Sequence, residues 1–282
     1  MTTNALVWIK TNNKITVILP NGQPKTTIEG DGNYEAVLQA IRDRDWDVIP
    51  DLLDPKAAIY NFSDGKFEVV GGVVHVEGKP VPDGLSKKII AFAKENLPYK
   101  PLLNFWNKLN NNPSFHVKNS LFEFLERNEY PITEDGDIIA YKGVKEDWSD
   151  CRTGKIFNYI GTTVSMPRNE VDDSPEKSCS YGFHCSNFTF AWSYGNNGHM
   201  IMVSVNPENV VSMPNAYNFT KMRICEYTVL SEVTKEEKGN LYRDPSAVDK
   251  SYVDDYDNGS RYEGDEEYCD ECDGEGCDSC DY

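Results

Sequence analysis

Alternating apolar residues predict that the first part of the chain is built from β-hairpins. Residues 6–9 and 15–19 are rich in β-branched and aromatic side chains and lie on either side of two adjacent asparagines. Residues 66–70 and 73–76 repeat this arrangement around two adjacent glycines. Short apolar runs joined by turn-forming residues are typical of hairpins. We therefore expect a β-rich N-terminal segment over residues 1–82.

Apolar side chains at helical spacing predict helices between these hairpins and after them. Residues 31–42 place apolar side chains on one helical face, and Asp31 is the expected N-cap. A second, short helix is expected over residues 46–53. Three further stretches with helical spacing follow within residues 83–130, where the aromatic residues are expected to pack in a core. Residues 83–130 are therefore predicted to form a helical middle segment.

Strand patterns return in the C-terminal part of the chain, residues 131–234, with one short helix expected over residues 188–194. We expect a mostly antiparallel sheet in this α+β domain, so the predicted fold class of the whole chain is α+β. The predicted strands cover residues 137–142, 162–166, 181–185, 200–205, 210–213 and 222–230.

Acidic residues are concentrated at the end of the chain. The net charge is −18, and residues 244–282 hold 15 acidic but only two basic residues. These residues account for −13 of the net charge, so the other 243 residues carry −5. The polar composition predicts a disordered acidic tail over residues 235–282. Because an acidic chain repels phosphate backbones, direct binding of nucleic acid is not expected.

The last four cysteines form a candidate zinc site. Two CxxC pairs separated by four residues can supply four thiolates to a tetrahedral Zn²⁺ ion. Neighbouring carboxylates attract a cation but disfavour thiolate formation, so a tail without metal is the alternative. The candidate ligands are Cys269, Cys272, Cys277 and Cys280.

Other cysteines and a histidine lie closer to the middle of the chain. Cys151, Cys179, His184 and Cys185 could supply a second metal site. The alternative is that these cysteines are small buried residues at strand ends. On a strand, His184 and Cys185 point to opposite faces, which makes joint binding of one ion difficult.

Several segments of the chain, in order, carry a family resemblance. They are NYEAVLQAI at residues 33–41, GGVVHVEGKPVPDGL at 71–85, PITEDGDIIAYKGV at 131–144 and MRICEYTVL at 222–230. Together they resemble the rIIB proteins of large tailed bacteriophages. The resemblance covers roughly residues 5–234 and leaves the acidic tail outside it.

The resemblance implies a phage accessory factor that counters early lysis triggered by a prophage or by a host defence. It implies an rIIA-like phage protein, or a host defence protein, as the binding partner. The sequence has no apolar run near the ~20 residues of a spanning helix and no evident signal peptide. The expected location is thus the host cytoplasm, with any inner-membrane association peripheral and mediated by the partner.

A second resemblance gives a different class of function. The strand that contains Lys142, the strand that ends at Ser186 and the late strand that contains Glu226 resemble the three site-bearing strands of ADP-ribosyltransferase folds. Those residues would be the counterparts of the NAD-binding and catalytic groups. The chain departs from that pattern, with Lys142 where an arginine or histidine is expected. The alternatives are thus a nucleotide-binding enzyme or signal trap, and solvated charges at strand ends.

Two loops supply candidate surface residues for a ligand or partner. Arg168 and Asn169 lie in one loop and Tyr217 in the other, and loops on a rigid scaffold often carry recognition residues. The alternative is that all three are ordinary turn residues. The chain contains no Walker loop, GxGxxG or GxSxG motif, so a non-enzymatic mechanism is expected. A third hypothesis is a scaffold that recruits partners through its zinc-binding acidic tail.

Overall fold

The chain has an α+β fold, as the sequence predicts, and its described part divides into two compact units. The computed structural model describes residues 6–194, 198–215 and 220–233. The first unit contains residues up to Asn107 together with Glu134–Gly136, and the second contains Lys108–Thr133 and the chain from Asp137 onward. The boundaries predicted at residues 82/83, 130/131 and 234/235 stay predictions.

The first unit contains two small three-stranded sheets and a set of helices. Its first sheet has the order β1-β2-β3 and its second the order β4-β5-β6. Its elements are β1 (Val7–Thr11), β2 (Lys14–Ile18), β3 (Pro24–Ile28), α1 (Tyr34–Asp43), α2 (Ile49–Leu53), α3 (Pro55–Phe62), β4 (Phe67–Val70), β5 (Val73–Val76), β6 (Lys79–Pro80), α4 (Asp83–Lys94) and most of α5 (Lys100–Leu109).

One face of the first sheet and the apolar face of α1 form a common core. Ile15 and Val17 of β2 are fully buried, and they cluster with Val37 and Ile41 of α1. The four α1 residues that are buried lie at helical spacing, which is why the apolar periodicity predicts this helix correctly.

The expected N-cap of α1 is wrong by two residues. The helix begins at Tyr34 with Asn33 at the N-cap position. Asp31 instead accepts hydrogen bonds from the backbone amide of Ile28 (2.8 Å) and the hydroxyl of Thr27 (3.3 Å), so it stabilises the turn that follows β3. Asp residues favour such local turns as strongly as they favour caps.

The second unit is built around one seven-stranded antiparallel sheet with the order β11-β12-β9-β7-β10-β13-β8. Apart from the end of α5, its elements are α6 (Phe115–Arg127), β7 (Ile138–Val144), β8 (Thr163–Ser165), β9 (Phe183–Ser186), α7 (Phe188–Tyr194), β10 (His199–Val205), β11 (Val210–Ser212), β12 (Lys221–Ile224) and β13 (Glu226–Glu232).

The central pair of strands, β7 and β10, aligns over seven residues from His199–Val144 to Val205–Ile138. No residue of either strand is exposed, as expected for central strands covered on both faces. On one face, Ile139 and Tyr141 of β7 pack with Ala191 of α7, and the Tyr141 ring meets Phe188 edge-on at 5.3 Å. The short helix α7 therefore covers the middle of the sheet.

None of the helices in the described ranges is long and apolar enough to span a lipid bilayer.

We predict that Gly136→Ala destabilises the protein strongly. Gly136 has a φ of +84°, and a Cβ atom there would lie closer than 3.0 Å to the backbone nitrogen of Phe105. Backbone cannot move aside as a flexible side chain can, so the cost adds to that of a positive φ. We expect a loss of about 3 kcal/mol or more in the free energy of unfolding, measured by chemical denaturation.

Gly78→Ala is the matched control. Its φ of +74° is similar, but no atom lies within 4 Å of the added Cβ. We expect a loss of only about 1 kcal/mol there. Equal losses in the two variants would contradict the close approach of backbone at Gly136.

Candidate functional surface

Of the three residues of the ADP-ribosyltransferase resemblance, Lys142 and Ser186 lie on neighbouring strands but on opposite faces of the sheet. Ser186 of β9 pairs directly with Tyr141 of β7, so their side chains share a face of the sheet. Lys142 follows Tyr141 and therefore points to the opposite face. Its Nζ atom donates to the carbonyl oxygen of His184 at 3.3 Å.

Glu226 is far from Lys142. Strand β10 separates β13 from β7, and Lys142 aligns with Ile201, which in turn aligns with Glu232. Glu226 is six residues from Glu232 along β13, which corresponds to about 20 Å in an extended strand. Its carboxylate accepts a hydrogen bond from Asn209 at 3.0 Å. The structure therefore does not bring Lys142, Ser186 and Glu226 together in one pocket.

Arg168, a predicted surface residue, is used to hold the protein's own loops together. Its guanidinium donates to the carbonyl oxygens of Glu208 (2.7 Å) and Val210 (2.9 Å) and to the side-chain oxygen of Asn112 (3.0 Å). These contacts fix the loop before β11 against the chain after α5. Asn169 beside it is exposed on a single 3₁₀ turn, and Tyr217 lies outside the described residues.

Asn112 is the buried centre of this arrangement, and no local pattern in the sequence indicates its role. Its amide nitrogen lies 2.9, 3.1 and 2.7 Å from the carbonyl oxygens of Pro207, Glu208 and Val210. Its oxygen accepts from the backbone amide of Ser114, which caps α6, as well as from Arg168. The side chain is fully buried. A buried amide side chain whose donors and acceptor all form hydrogen bonds stabilises the contact between distant segments.

A second buried polar network surrounds Arg223 of β12, whose side chain is fully buried. Its guanidinium donates to the carbonyl oxygens of Asp172, Ser174 and Lys177 at 2.5, 3.3 and 2.7 Å. The Asp172 carboxylate lies 3.7 Å from the same guanidinium. The buried Arg223 side chain thus holds the segment before β9 in place through hydrogen bonds to its backbone.

The Asp172 carboxyl group has a depressed pKa. Partial burial would raise its pKa, but the opposing contacts are stronger. Hydrogen bonds from Lys177, Ser180 and the backbone of Ser174, together with the charge of Arg223, lower its pKa from 3.8 to about 2. The carboxylate is therefore held in its charged form at neutral pH.

The candidate metal ligands give two different outcomes. Cys269, Cys272, Cys277 and Cys280 lie outside the described residues, so the zinc site stays a prediction. In the described ranges, which include Cys151, Cys179, His184 and Cys185, no group of three or more metal-binding side chains is arranged to hold an ion. Burial raises the pKa of the Cys185 thiol to about 12, although the nearby charge of Lys142 lowers it.

An exposed aromatic surface lies on the segment between β7 and β8. Phe157 and Tyr159 are 46% and 50% exposed, and their rings stack in parallel with centroids 5.7 Å apart. Ile160 beside them is 54% exposed. The next residues, Gly161 and Thr162, form backbone hydrogen bonds with β13 (2.8 and 2.9 Å). We call Phe157, Tyr159 and Ile160 the aromatic surface.

The local structure explains why this segment presents its aromatic rings. Asp150 anchors the preceding loop, because its carboxylate accepts hydrogen bonds from the backbone amides of residues 152, 153, 155 and 156. Asn158, between the two rings, is fully buried and accepts a hydrogen bond from the Tyr227 hydroxyl. Because side chains alternate in direction along an extended chain and Asn158 points inward, Phe157 and Tyr159 both point outward. In the sequence, the alternation of Phe157, Asn158 and Tyr159 was the signal that could have predicted this surface.

We predict that Asn112→Ala lowers the free energy of unfolding by about 2–4 kcal/mol, because it removes all the hydrogen bonds of a fully buried side chain that joins distant segments. Chemical denaturation measures the loss. Asn169→Ala, at an exposed position in the same loop system, is the control and should change stability by less than about 0.5 kcal/mol. Similar losses of stability in the two variants would show that Asn112 does not stabilise the contact between these segments.

The Asp172 network predicts a specific acid sensitivity. A depressed pKa in the folded state means that the network stabilises the protein above the unfolded pKa of 3.8. This contribution is lost as the pH falls toward the folded value of about 2. We expect the stability difference between the wild type and Asp172→Asn to be constant above about pH 4 and to shrink between about pH 4 and 2. A pH-independent difference in denaturation experiments would contradict this.

Comparison with known proteins connects the chain to a bacteriophage family. The family model described as Bacteriophage T4 protein rIIB matches residues 2–240. Protein rIIB of Enterobacteria phage T4 is 27% identical over 234 residues, which cover 83% of this chain and 75% of that protein. No solved structure shows a significant match. Because the family match extends over most of its length, this chain belongs to the rIIB family of bacteriophage proteins.

Proposed function

We propose that this chain is a phage accessory factor that acts by binding another protein, and that the aromatic surface is its contact site. Through this contact it counters early lysis triggered by a prophage or by a host defence. The family resemblance supplies the biological role. The observation that carries the binding mechanism is the stacked, exposed pair of Phe157 and Tyr159.

Exposed aromatic rings of this kind suit a protein interface. Aromatic residues are enriched in interfaces, where they supply a large apolar area with few rotatable bonds. Phe157 and Tyr159 already restrain each other by stacking, so binding a partner costs little additional side-chain entropy. The ordered Asp150 loop and the buried Asn158 hold the backbone below them. The surface is thereby preorganised for binding.

The charged residues considered from the sequence have internal roles instead. Arg168 holds two loops of its own unit, and Glu226 accepts a hydrogen bond from Asn209. Lys142 and Glu226 lie far apart along the sheet, and the register shift between Met202 and Val203 in the pairing of β10 with β13 places them on opposite faces. These placements support protein binding over nucleotide chemistry.

The partner in this proposal is an rIIA-like phage protein, as the resemblance implies, with a host defence protein as the second possibility for the same surface. The complex would act in the host cytoplasm or, through its partner, at the inner membrane. The zinc-binding acidic tail of the scaffold hypothesis falls in residues 235–282, outside the described residues, so it stays a prediction.

We predict that the double variant Phe157→Ala/Tyr159→Ala loses partner binding. The affinity for the rIIA-like protein of the same phage should fall about 1,000-fold, because truncating two central aromatic residues costs about 2 kcal/mol each. Isothermal titration calorimetry with the purified proteins measures this loss. Circular dichroism and thermal unfolding of the variant check that its fold is retained.

The matched control is Phe115→Ala, which removes an 80% exposed phenylalanine from the same unit. It should bind like the wild type. Unchanged binding by the double variant would overturn the proposed contact site. A wild-type chain that binds neither the rIIA-like protein nor any host protein during infection would overturn the proposed function.

A further inference from the structure

Strand β1 is an exposed edge of the first sheet. All five of its residues are exposed, and Val7 and Ile9 are 70% and 62% exposed. Only β2 pairs with β1 in the described part of the chain, where the sheet order is β1-β2-β3. A flat apolar edge strand is a template for pairing with another strand, and proteins usually protect such edges.

Most other strand edges in the described ranges are protected by recognised means, whereas β4 is a four-residue edge whose first residue, Phe67, is buried. Strand β3 begins with Pro24, which cannot donate a hydrogen bond. The outer strands of the seven-stranded sheet, β8 and β11, have three residues each. Strand β6 has only two. In contrast, β1 is five residues long and contains no proline.

The hydrogen-bonding groups that β1 offers follow from its hairpin. A two-residue turn joins β1 to β2, and the closing residues Thr11 and Lys14 pair directly. Such a turn closes on a hydrogen-bonded pair, so alternation makes Ile9 and Val7 bond to β2 as well. The amide and carbonyl groups of Trp8 and Lys10 therefore point away from the sheet. Two residues on this edge are available for pairing.

The outer face of the same sheet carries several exposed apolar side chains. Val7 lies directly opposite Ile18, which is also exposed, and Ile9 follows on the same face of β1. Ile28 of β3 lies on that face too. The opposite face carries the buried Ile15 and Val17. An added strand would extend both faces.

We propose that β1 pairs antiparallel with β1 of a second copy of this chain, about a two-fold axis at Ile9. This pairing joins two three-stranded sheets into one six-stranded sheet. It goes beyond the proposed function, because it concerns self-association through the first unit.

Charge and strand length select this register. With the axis at Ile9, all five residues of β1 find a partner, and Val7 lies opposite Thr11 of the second copy. Lys10 lies opposite Trp8 of the second copy, where the ammonium group can contact the aromatic ring. An axis at Lys10 would instead place two lysines directly opposite each other, which is destabilising. An axis at Trp8 would leave both Lys10 and Thr11 outside the overlap.

The same register satisfies the backbone. Trp8 and Lys10 of the second copy present the same outward groups, so they exchange hydrogen bonds with Lys10 and Trp8 of the first. Ile9 and its symmetry mate form the close, non-hydrogen-bonded pair between them. Their side chains meet on the outer face, flanked by Val7 of each copy. The backbone groups and side chains of β1 are therefore complementary to those of β1 in a second copy.

Sedimentation of the full-length protein tests the proposal. We expect a concentration-dependent monomer–dimer equilibrium for the wild type. Ile9→Lys places two positive charges face to face, so its dissociation constant should rise about tenfold or more. Ile28→Lys adds the same charge to the same face at β3, outside the pairing, and should leave the equilibrium unchanged. A wild type that stays monomeric at every concentration, or equal effects of the two variants, would overturn the proposal.

Cross-linking tests the register independently of any loss of stability. In the Ile9→Cys variant, the two introduced thiols face each other at a non-hydrogen-bonded pair, whose ~4.5 Å Cα separation permits a disulfide bond. Mild oxidation should give a covalent dimer, and peptide mass mapping should identify a disulfide that joins position 9 of one copy to position 9 of the other.

Two controls accompany the cross-linking experiment. The wild type, which has eight cysteines of its own, measures the background of other disulfides. The Ile28→Cys variant places a thiol on the same face of the sheet but outside the pairing. A symmetric disulfide yield at position 9 that is no higher than the yield at position 28 would reject this register.

Discussion

The second unit depends on the pairing of β7 with β10. These strands lie at the centre of a seven-stranded sheet and align over seven residues without interruption. In a sheet, a shift by one residue would send every side chain to the other face. The register therefore decides that Tyr141 meets α7 while Lys142 points away from it. The separation of Lys142 from Glu226 is a direct result of the same alignment.

Buried polar side chains then connect this sheet to the segments around it. Asn112 and Arg168 bind the carbonyl groups before β11, and Arg223 binds those of the segment before β9. Burying such groups is costly unless each finds its partners. In this unit the partners are mostly backbone carbonyl groups of the segments that precede β9 and β11. The buried and half-buried arginines of the unit thus stabilise the fold.

Much of the fold was predictable because its elements have strong local signals. The apolar periodicity of α1 and the three helices of the middle segment matched the structure, as did both hairpins. Helix α3 was missed although Asp54 caps it and Pro55 follows, a combination that favours a helix start. Strand β3 was missed because its threonines, lysine and proline lack the apolar alternation of a typical strand.

The candidate site was less predictable because it depends on contacts between distant residues. Asn112 bonds to Val210, 98 positions away along the chain, and neither residue carries a local signal for the pair. Arg168 was correctly placed in a loop, but its role needed the position of that loop against residues 208–210. The family resemblance identified the protein's class, which the fold alone could not have supplied, since a fold does not determine a function.

Phage growth on a host that carries a lysis-triggering prophage tests the central claim most directly. Two phages would be compared, one encoding Phe157→Ala/Tyr159→Ala and the other Lys142→Met/Glu226→Gln, with equal protein levels confirmed by immunoblot. We expect early lysis and lost progeny for the aromatic variant and normal growth for the charge variant. Normal growth of the aromatic variant together with early lysis for the charge variant would contradict this expectation.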